Sequence, residues 1–345
     1  MTGMLSRVFR WPGLLFLLWV PVLAAAEEIP SPPPPASPAL SENAPLAAAA
    51  RFREGVDLWL AGRRDEALAA WKEATRLDPT LAEAHYNLGV GLRDRRIVEQ
   101  RRNCLLEDDP IVCLTSVDHL AKDPPINLEQ SLRALDESVR LNPKHPRAWR
   151  LKGIVEGQLK RYREAADSLK RHLKEHPEDA DSHYLLCAAL RAAGRNREAV
   201  TACRQAVRHR PDFAEAHHLL GSLYLDLRQA DKARESFEQV IGLRPDSPAA
   251  WFNLGLAQDR LEAHQKAVDA YLRALDLGGA PGPAHLNLGA AYHRLGRFSR
   301  AIDHTRKARE AFARARDWRQ VRRAQNNLDR FHQAYWGLPR DPELF

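Results

Sequence analysis

The sequence predicts an all-helical array of repeated helix pairs, and three observations carry that prediction. The phrase AEAHYNLG at Ala82 returns as AEAHHLLG at Ala214, PAAWFNLG at Pro248 and GPAHLNLG at Gly282, the last three starting 34 residues apart. Looser copies, PRAWRLKG at Pro146 and ADSHYLLC at Ala180, extend the ladder backward without a gap. Small residues and prolines recur at fixed places within the period. Such a period marks one small structural unit copied many times, so function is to be sought in the array rather than in one pocket.

Composition sets few limits. The chain has 345 residues, 44% hydrophobic and 28% charged, with a net charge of +7. A balance of 52 basic against 45 acidic residues is too mild to imply a nucleic-acid partner.

The elements follow in order. Residues 1–26 read as a signal peptide: Arg7 and Arg10, then the apolar run Trp11–Leu23, then Ala24-Ala25-Ala26 as a cleavage site. The alternative is an uncleaved membrane anchor, although the run falls short of the roughly 20 apolar residues of a comfortable span. Residues 27–45 are too rich in proline for helix or core strand and read as an extended linker.

Units then start at Ala48, Ala82, Pro146, Ala180, Ala214, Pro248 and Gly282. Position eight of the unit is Gly55, Gly89, Gly153, Cys187, Gly221, Gly255 and Gly289. Position twenty is Ala67, Ser131, Ala165, Ala199, Ala233, Ala267 and Ala301. Small side chains at these two places let the paired helices approach. Trp71, Leu135, Leu169, Phe237 and Tyr271, at position twenty-four, fill the gaps. Pro79, Pro143, Pro177, Pro211 and Pro245 help end the second helix, and Gly62, Gly194 and Gly296 mark the turn between the two. In the second unit about 30 residues, near Ile97 to Ile126, interrupt the pattern. They read as a loop insert, either a tolerated decoration or a partner-specific lip. Residues 317–338 form a last helix, with Asp317 and Gln320 as a capping box and Trp318, Val321, Leu328, Phe331 and Tyr335 as its apolar stripe, and 339–345 are a tail.

These positions resemble the tetratricopeptide repeat (TPR) family over about Ala48 to Ala315. The resemblance implies an α-solenoid of about seven stacked helix-turn-helix units, residues 46–316, curved into a right-handed superhelix with a C-terminal capping helix. It also implies that the first helix of each unit lines a groove, with positions two, five, six, nine, twelve and thirteen facing it. Asn87, Asn253 and Asn287 hold position six, and Asn327 takes that place in the last helix. An asparagine pairs with a peptide's own N–H and C=O groups, so the ladder implies a grip on an extended backbone. Arg53, Leu151, Leu185 and Leu219 interrupt it, which leaves the repeats from Pro248 onward as the best segment. Tyr86, Tyr184, Phe252 and His218 at position five would add flat surfaces, and Arg150, Arg191, Arg260 and Arg294 positive charge. Arg319, Arg322 and Arg323 belong to a basic C-terminal patch that could meet an acidic protein or an anionic lipid surface, or be a solvated capping face.

No catalytic signature, phosphate-binding glycine loop or CxxC motif stands out, so neither an enzyme nor a cofactor is expected. His85, His183, His217 and His285 share position four with Trp149 and Trp251, which marks them as packing residues. His172 and His176 have a zinc-like spacing but no third ligand, so no metal is expected. Export to an oxidising compartment would pair the four cysteines as Cys104–Cys113 and Cys187–Cys203, with buried thiols as the alternative. The expected protein is a periplasmic or secreted scaffold that binds a peptide or protein partner. A membrane-tethered accessory subunit of an envelope export, assembly or polysaccharide machine is the alternative.

Overall fold

The computed structural model describes residues 46–104 and 126–335. The leader, the proline-rich linker, most of the insert with Cys113, and the tail lie outside the described residues. Fifteen α-helices are described, and no strand occurs among the described residues. The chain divides into two compact units between Arg195 and Asn196.

The first unit holds α1 (Leu46–Leu60), α2 (Arg64–Leu77), α3 (Ala82–Cys104), α4 (Ile126–Leu141), α5 (Ala148–Gln158), α6 (Tyr162–Glu175) and α7 (Ala180–Ala192). The second holds α8 (Asn196–His209), α9 (Ala214–Asp226), α10 (Ala230–Leu243), α11 (Pro248–Arg260), α12 (His264–Asp276), α13 (Pro281–Arg294), α14 (Phe298–Arg314) and α15 (Trp318–Tyr335). Within each unit every helix packs on the next along the chain, and lighter contacts join first helices of successive repeats. Burial is therefore shared between neighbours, as in a solenoid.

Size complementarity explains the pairing. A Cβ placed on Gly255 would lie 2.6 Å from the ring of Tyr271, and one on Gly221 2.8 Å from that of Phe237. Gly89 and Gly153 meet Leu135 and Leu169 at 2.7 Å in the same way. Each glycine at position eight thus meets position twenty-four of its own repeat. The seven residues of position twenty are fully buried, and Ser131 there donates its hydroxyl to the Gly89 carbonyl at 2.7 Å. In the fourth repeat positions eight and twenty-four are Cys187 and Cys203; both are fully buried and disulfide-bonded.

The ends of the helices also have physical causes. The helices before Pro79, Pro143, Pro177, Pro211 and Pro245 each stop two residues ahead of the proline. Gly62, Gly194 and Gly296 adopt φ of +78°, +76° and +70° in the turns, where glycine pays no steric penalty. Lys160, Arg228 and Glu262 hold the same left-handed turn at φ near +60° without being glycine.

Two expectations need correction. Helix α3 continues to Cys104, well past Ile97, because the stretch RDRRIVEQRRNC from Arg93 contains neither glycine nor proline to stop it. Trp318 is 66% exposed and is no part of the apolar stripe of α15. It is the first residue of that helix, next to an exposed turn, whereas Leu328 and Phe331 are buried as expected. Asp317 does cap the helix, accepting from Gln320 N at 3.1 Å.

Candidate partner-binding site

The candidate surface in the second unit is built from α9, α11 and α13, the first helices of three successive repeats. Their groove positions are related by links spanning 35 residues. Asn253 Nδ2 donates to His218 Nε2 at 2.9 Å, which places the His218 proton on Nδ1. Arg260 Nη1 donates to the Leu225 carbonyl at 2.7 Å, covering an acceptor near the end of α9. Arg294 Nη1 lies 3.3 Å from Asp259 Oδ1. Asp259 is itself a junction: its Oδ1 also faces His264 Nδ1 at 3.1 Å and its Oδ2 accepts from the Tyr271 hydroxyl at 3.2 Å. Burial first, and then the Asp259 charge, raise the Tyr271 phenol well above its ordinary range.

Of the expected site residues, Asn253 and Asn287 are half-buried at equivalent places on α11 and α13. Arg260 and Arg294 stand exposed beside them, but both already hold the array together through the links above. Asn87, in the first unit, is only 3% exposed, and Asn327 on α15 is 8% exposed. These two are packed residues and offer no rung to a peptide. Tyr86, Tyr184 and Phe252, expected as flat exposed surfaces, are buried. Phe252 packs its ring 5.6 Å from that of Tyr271, and Tyr86 lies against His145 at 4.6 Å. Helical phase alone does not fix exposure, and neighbouring side chains cover these aromatics. Arg319 and Arg322 are exposed, while Arg323 is half-buried and its charge is disfavoured by that burial.

The histidines sort by local bonding. His85, His183 and His217 each donate Nε2–H to the carbonyl of the proline six residues earlier, at 3.0, 2.8 and 2.9 Å. Trp149 and Trp251 do the same with their indoles, at 2.8 and 2.9 Å. This shared donor explains why His and Trp alternate at position four. His285 has Gly279 in place of that proline and faces His304 instead, Nδ1 to Nδ1 at 3.0 Å. His172, considered above for zinc, bonds Asp179 Oδ2 at 3.0 Å. Asp259 was missed as a site residue; the signal was its place at position twelve, 35 residues before Arg294.

Tetratricopeptide repeat models match residues 127–180 and 218–283, and 158–223, and a third TPR repeat model matches 60–90. Together they span more than half of the chain, which belongs to the tetratricopeptide repeat family. Among solved structures it is similar to YrrB, described as a TPR protein with an unusual peptide-binding site, at 21% identity over 60% of this chain and 92% of that one, with a TM-score of 0.46. MamA from Desulfovibrio magneticus RS-1 is 22% identical over 59% of this chain and 97% of its own, TM-score 0.46. MamA MSR-1 is 26% identical over 48% and 96%, TM-score 0.45. A comparison with curated protein sequences gave no match.

Proposed function

We propose that this chain is a non-catalytic scaffold that holds an extended segment of a partner protein across α11 and α13. The observation that carries the reading is the placement of Asn253 and Asn287, one repeat apart and both half-buried, on a face whose aromatic residues are packed beneath. The Asn253–His218 bond fixes the amide and leaves its carbonyl oxygen to accept from a peptide N–H. Arg260 and Arg294, anchored to the neighbouring helices, border the track. The chain acts outside the cytoplasm in this reading, with its mature end at Glu27; N-terminal sequencing of the recovered protein distinguishes that from the anchored alternative.

A pull-down from envelope extract identifies a binder, and its interacting segment is then titrated. Asn253→Ala with Asn287→Ala should weaken binding by about one to two orders of magnitude, at roughly 0.5–1.5 kcal/mol per hydrogen bond and 1.4 kcal/mol per tenfold. Folding should lose about 1 kcal/mol, because the Asn253–His218 bond goes with the side chain, and binding is therefore compared where both proteins are fully folded. If Arg319→Ala, Arg322→Ala and Arg323→Ala together abolish binding while the asparagine variant retains it, the groove is not the site.

A further inference from the structure

We propose that the corner formed by the end of α14, the following turn and the start of α15 docks on an anionic phospholipid surface. This goes beyond the groove reading and does not depend on it.

The corner combines exposed positive charge with an exposed aromatic ring. Arg314, Ala315, Arg316, Trp318, Arg319 and Arg322 are all exposed. Elsewhere in the described residues some exposed arginines are paired, Arg51 with Glu54, Arg76 with Glu73 and Arg161 with Glu129, each at 2.7 Å, while others such as Arg133, Arg163 and Arg273 are not; Trp318, however, is the one exposed large aromatic among the described residues. Arg314, Arg316, Arg319 and Arg322 have no side-chain partner of this kind among the described residues. The one carboxylate within the corner, Asp317, is engaged by the backbone of Gln320 at 3.1 Å. Four exposed guanidinium groups therefore lie on the same helix end, turn and helix start as a single indole that is 66% exposed.

The combination fits a lipid surface better than the alternatives. An indole with a flat apolar body and one N–H partitions into the interfacial zone of a bilayer, and arginines keep their charge at the phosphates while burying their stems. Clusters of unpaired cations gain from an anionic surface in proportion to their number. A nucleic acid would call for a groove tracking its backbone and successive stacking rings; the corner offers one exposed ring at the start of α15. An acidic protein would meet the arginines, but would leave the 66% exposed indole without an apolar partner.

The test is co-sedimentation of the full chain with vesicles of phosphatidylcholine alone and of phosphatidylcholine with phosphatidylglycerol. Binding to the neutral vesicles measures the contribution of the apolar N-terminal stretch, so the readout is the difference between the two. The parent chain should favour the anionic vesicles, less so as salt rises. Arg319→Ala with Arg322→Ala should reduce that preference about tenfold or more, and Trp318→Ala should reduce binding to the anionic vesicles several-fold. Asn253→Ala with Asn287→Ala should bind them as the parent does, which separates this site from the groove. Circular dichroism checks that each variant keeps its helix content. Equal binding by the parent and the arginine variant, or no preference for anionic vesicles, would overturn the proposal. So would salt-sensitive binding to polyglutamate without binding to vesicles.

Discussion

The indole Nε1 of Trp251 donates to the carbonyl of Pro245 at 2.9 Å. The proline that follows the end of one repeat and the ring near the start of the next are thus a single device. The proline stops the preceding helix, and the ring bonds the carbonyl that this stop leaves without a helical partner. Trp251→Phe keeps the ring but removes the donor, and should lower stability by about 1 kcal/mol. Trp251→His should restore most of the loss, since His217 makes the same bond at 2.9 Å to Pro211. Urea titration of the three proteins, with hydrogen exchange over α10 and α11, measures both effects.

Stability should fall on acidification through the histidines. Burial pushes His145 down to about 4, with the Arg147 charge adding to it. Burial likewise pushes His304 to about 4, with His285 and Lys307 adding to it. In the unfolded chain both would titrate near 6.5, so between about 6.5 and 4 the unfolded state binds more protons than the folded one. Their contribution is complete above about pH 6.5, declines as pH falls toward 4, and changes little below. The denaturation midpoint measured across this window should show the decline. His304→Gln should flatten it, and an unchanged slope in that variant would assign the acid sensitivity elsewhere.

The turn at Glu262 is held at φ +60°, a conformation that costs a non-glycine residue roughly 1–2 kcal/mol. Glu262→Gly should therefore raise stability by about 1 kcal/mol, after allowing for the greater freedom that glycine loses on folding. Gly296→Ala, at φ +70°, should do the reverse. Thermal unfolding of the pair tests the opposite signs.

Gly255→Leu should force α11 away from α12, because even a Cβ would lie 2.6 Å from the Tyr271 ring. Overpacking of this kind commonly costs about 1–3 kcal/mol. Loss of hydrogen-exchange protection should be greatest in the flanking helices α10 and α13, as expected of a stack stabilised by nearest neighbours.

The two buried, disulfide-bonded cysteines carry their own expectation. A non-reducing peptide map should join the peptides of Cys187 and Cys203. Reduction should lower stability by about 3 kcal/mol, the value for a closed loop of roughly 15 residues. Labelling of either thiol in denatured, unreduced protein would contradict the pairing.

The repeat was legible in the sequence because its signals are residues that few others replace. Gly255 is required by the ring of Tyr271, and Pro245 by the end of α10, so both show as period. Depth was not legible. Phe252 and Asn253 are adjacent on the same side of α11, yet the phenyl is buried and the amide half-buried, because cover comes from other helices. Asn327 shared the motif of Asn253 and not its surroundings. The left-handed turns at Lys160, Arg228 and Glu262 left no trace, since those residue types carry no turn preference. Nor could the sequence show that Arg260 and Arg294, expected to border the candidate track, are engaged by the preceding repeat.

The matching of each glycine at position eight to position twenty-four of its own repeat makes the repeat a removable cassette. Excision of residues 248–281 would join Ser247 to Gly282 and leave every remaining close crossing matched, Gly221 to Phe237 and Gly289 to Thr305. The register would be kept as well: Asn287 would inherit the place opposite His218 that Asn253 now holds. His285, which now turns to His304, would find the Pro245 carbonyl six residues before it. The length of the array is therefore a quantity that can be edited in whole repeats with the position-eight crossings kept in register, one new contact between α10 and α13 being formed.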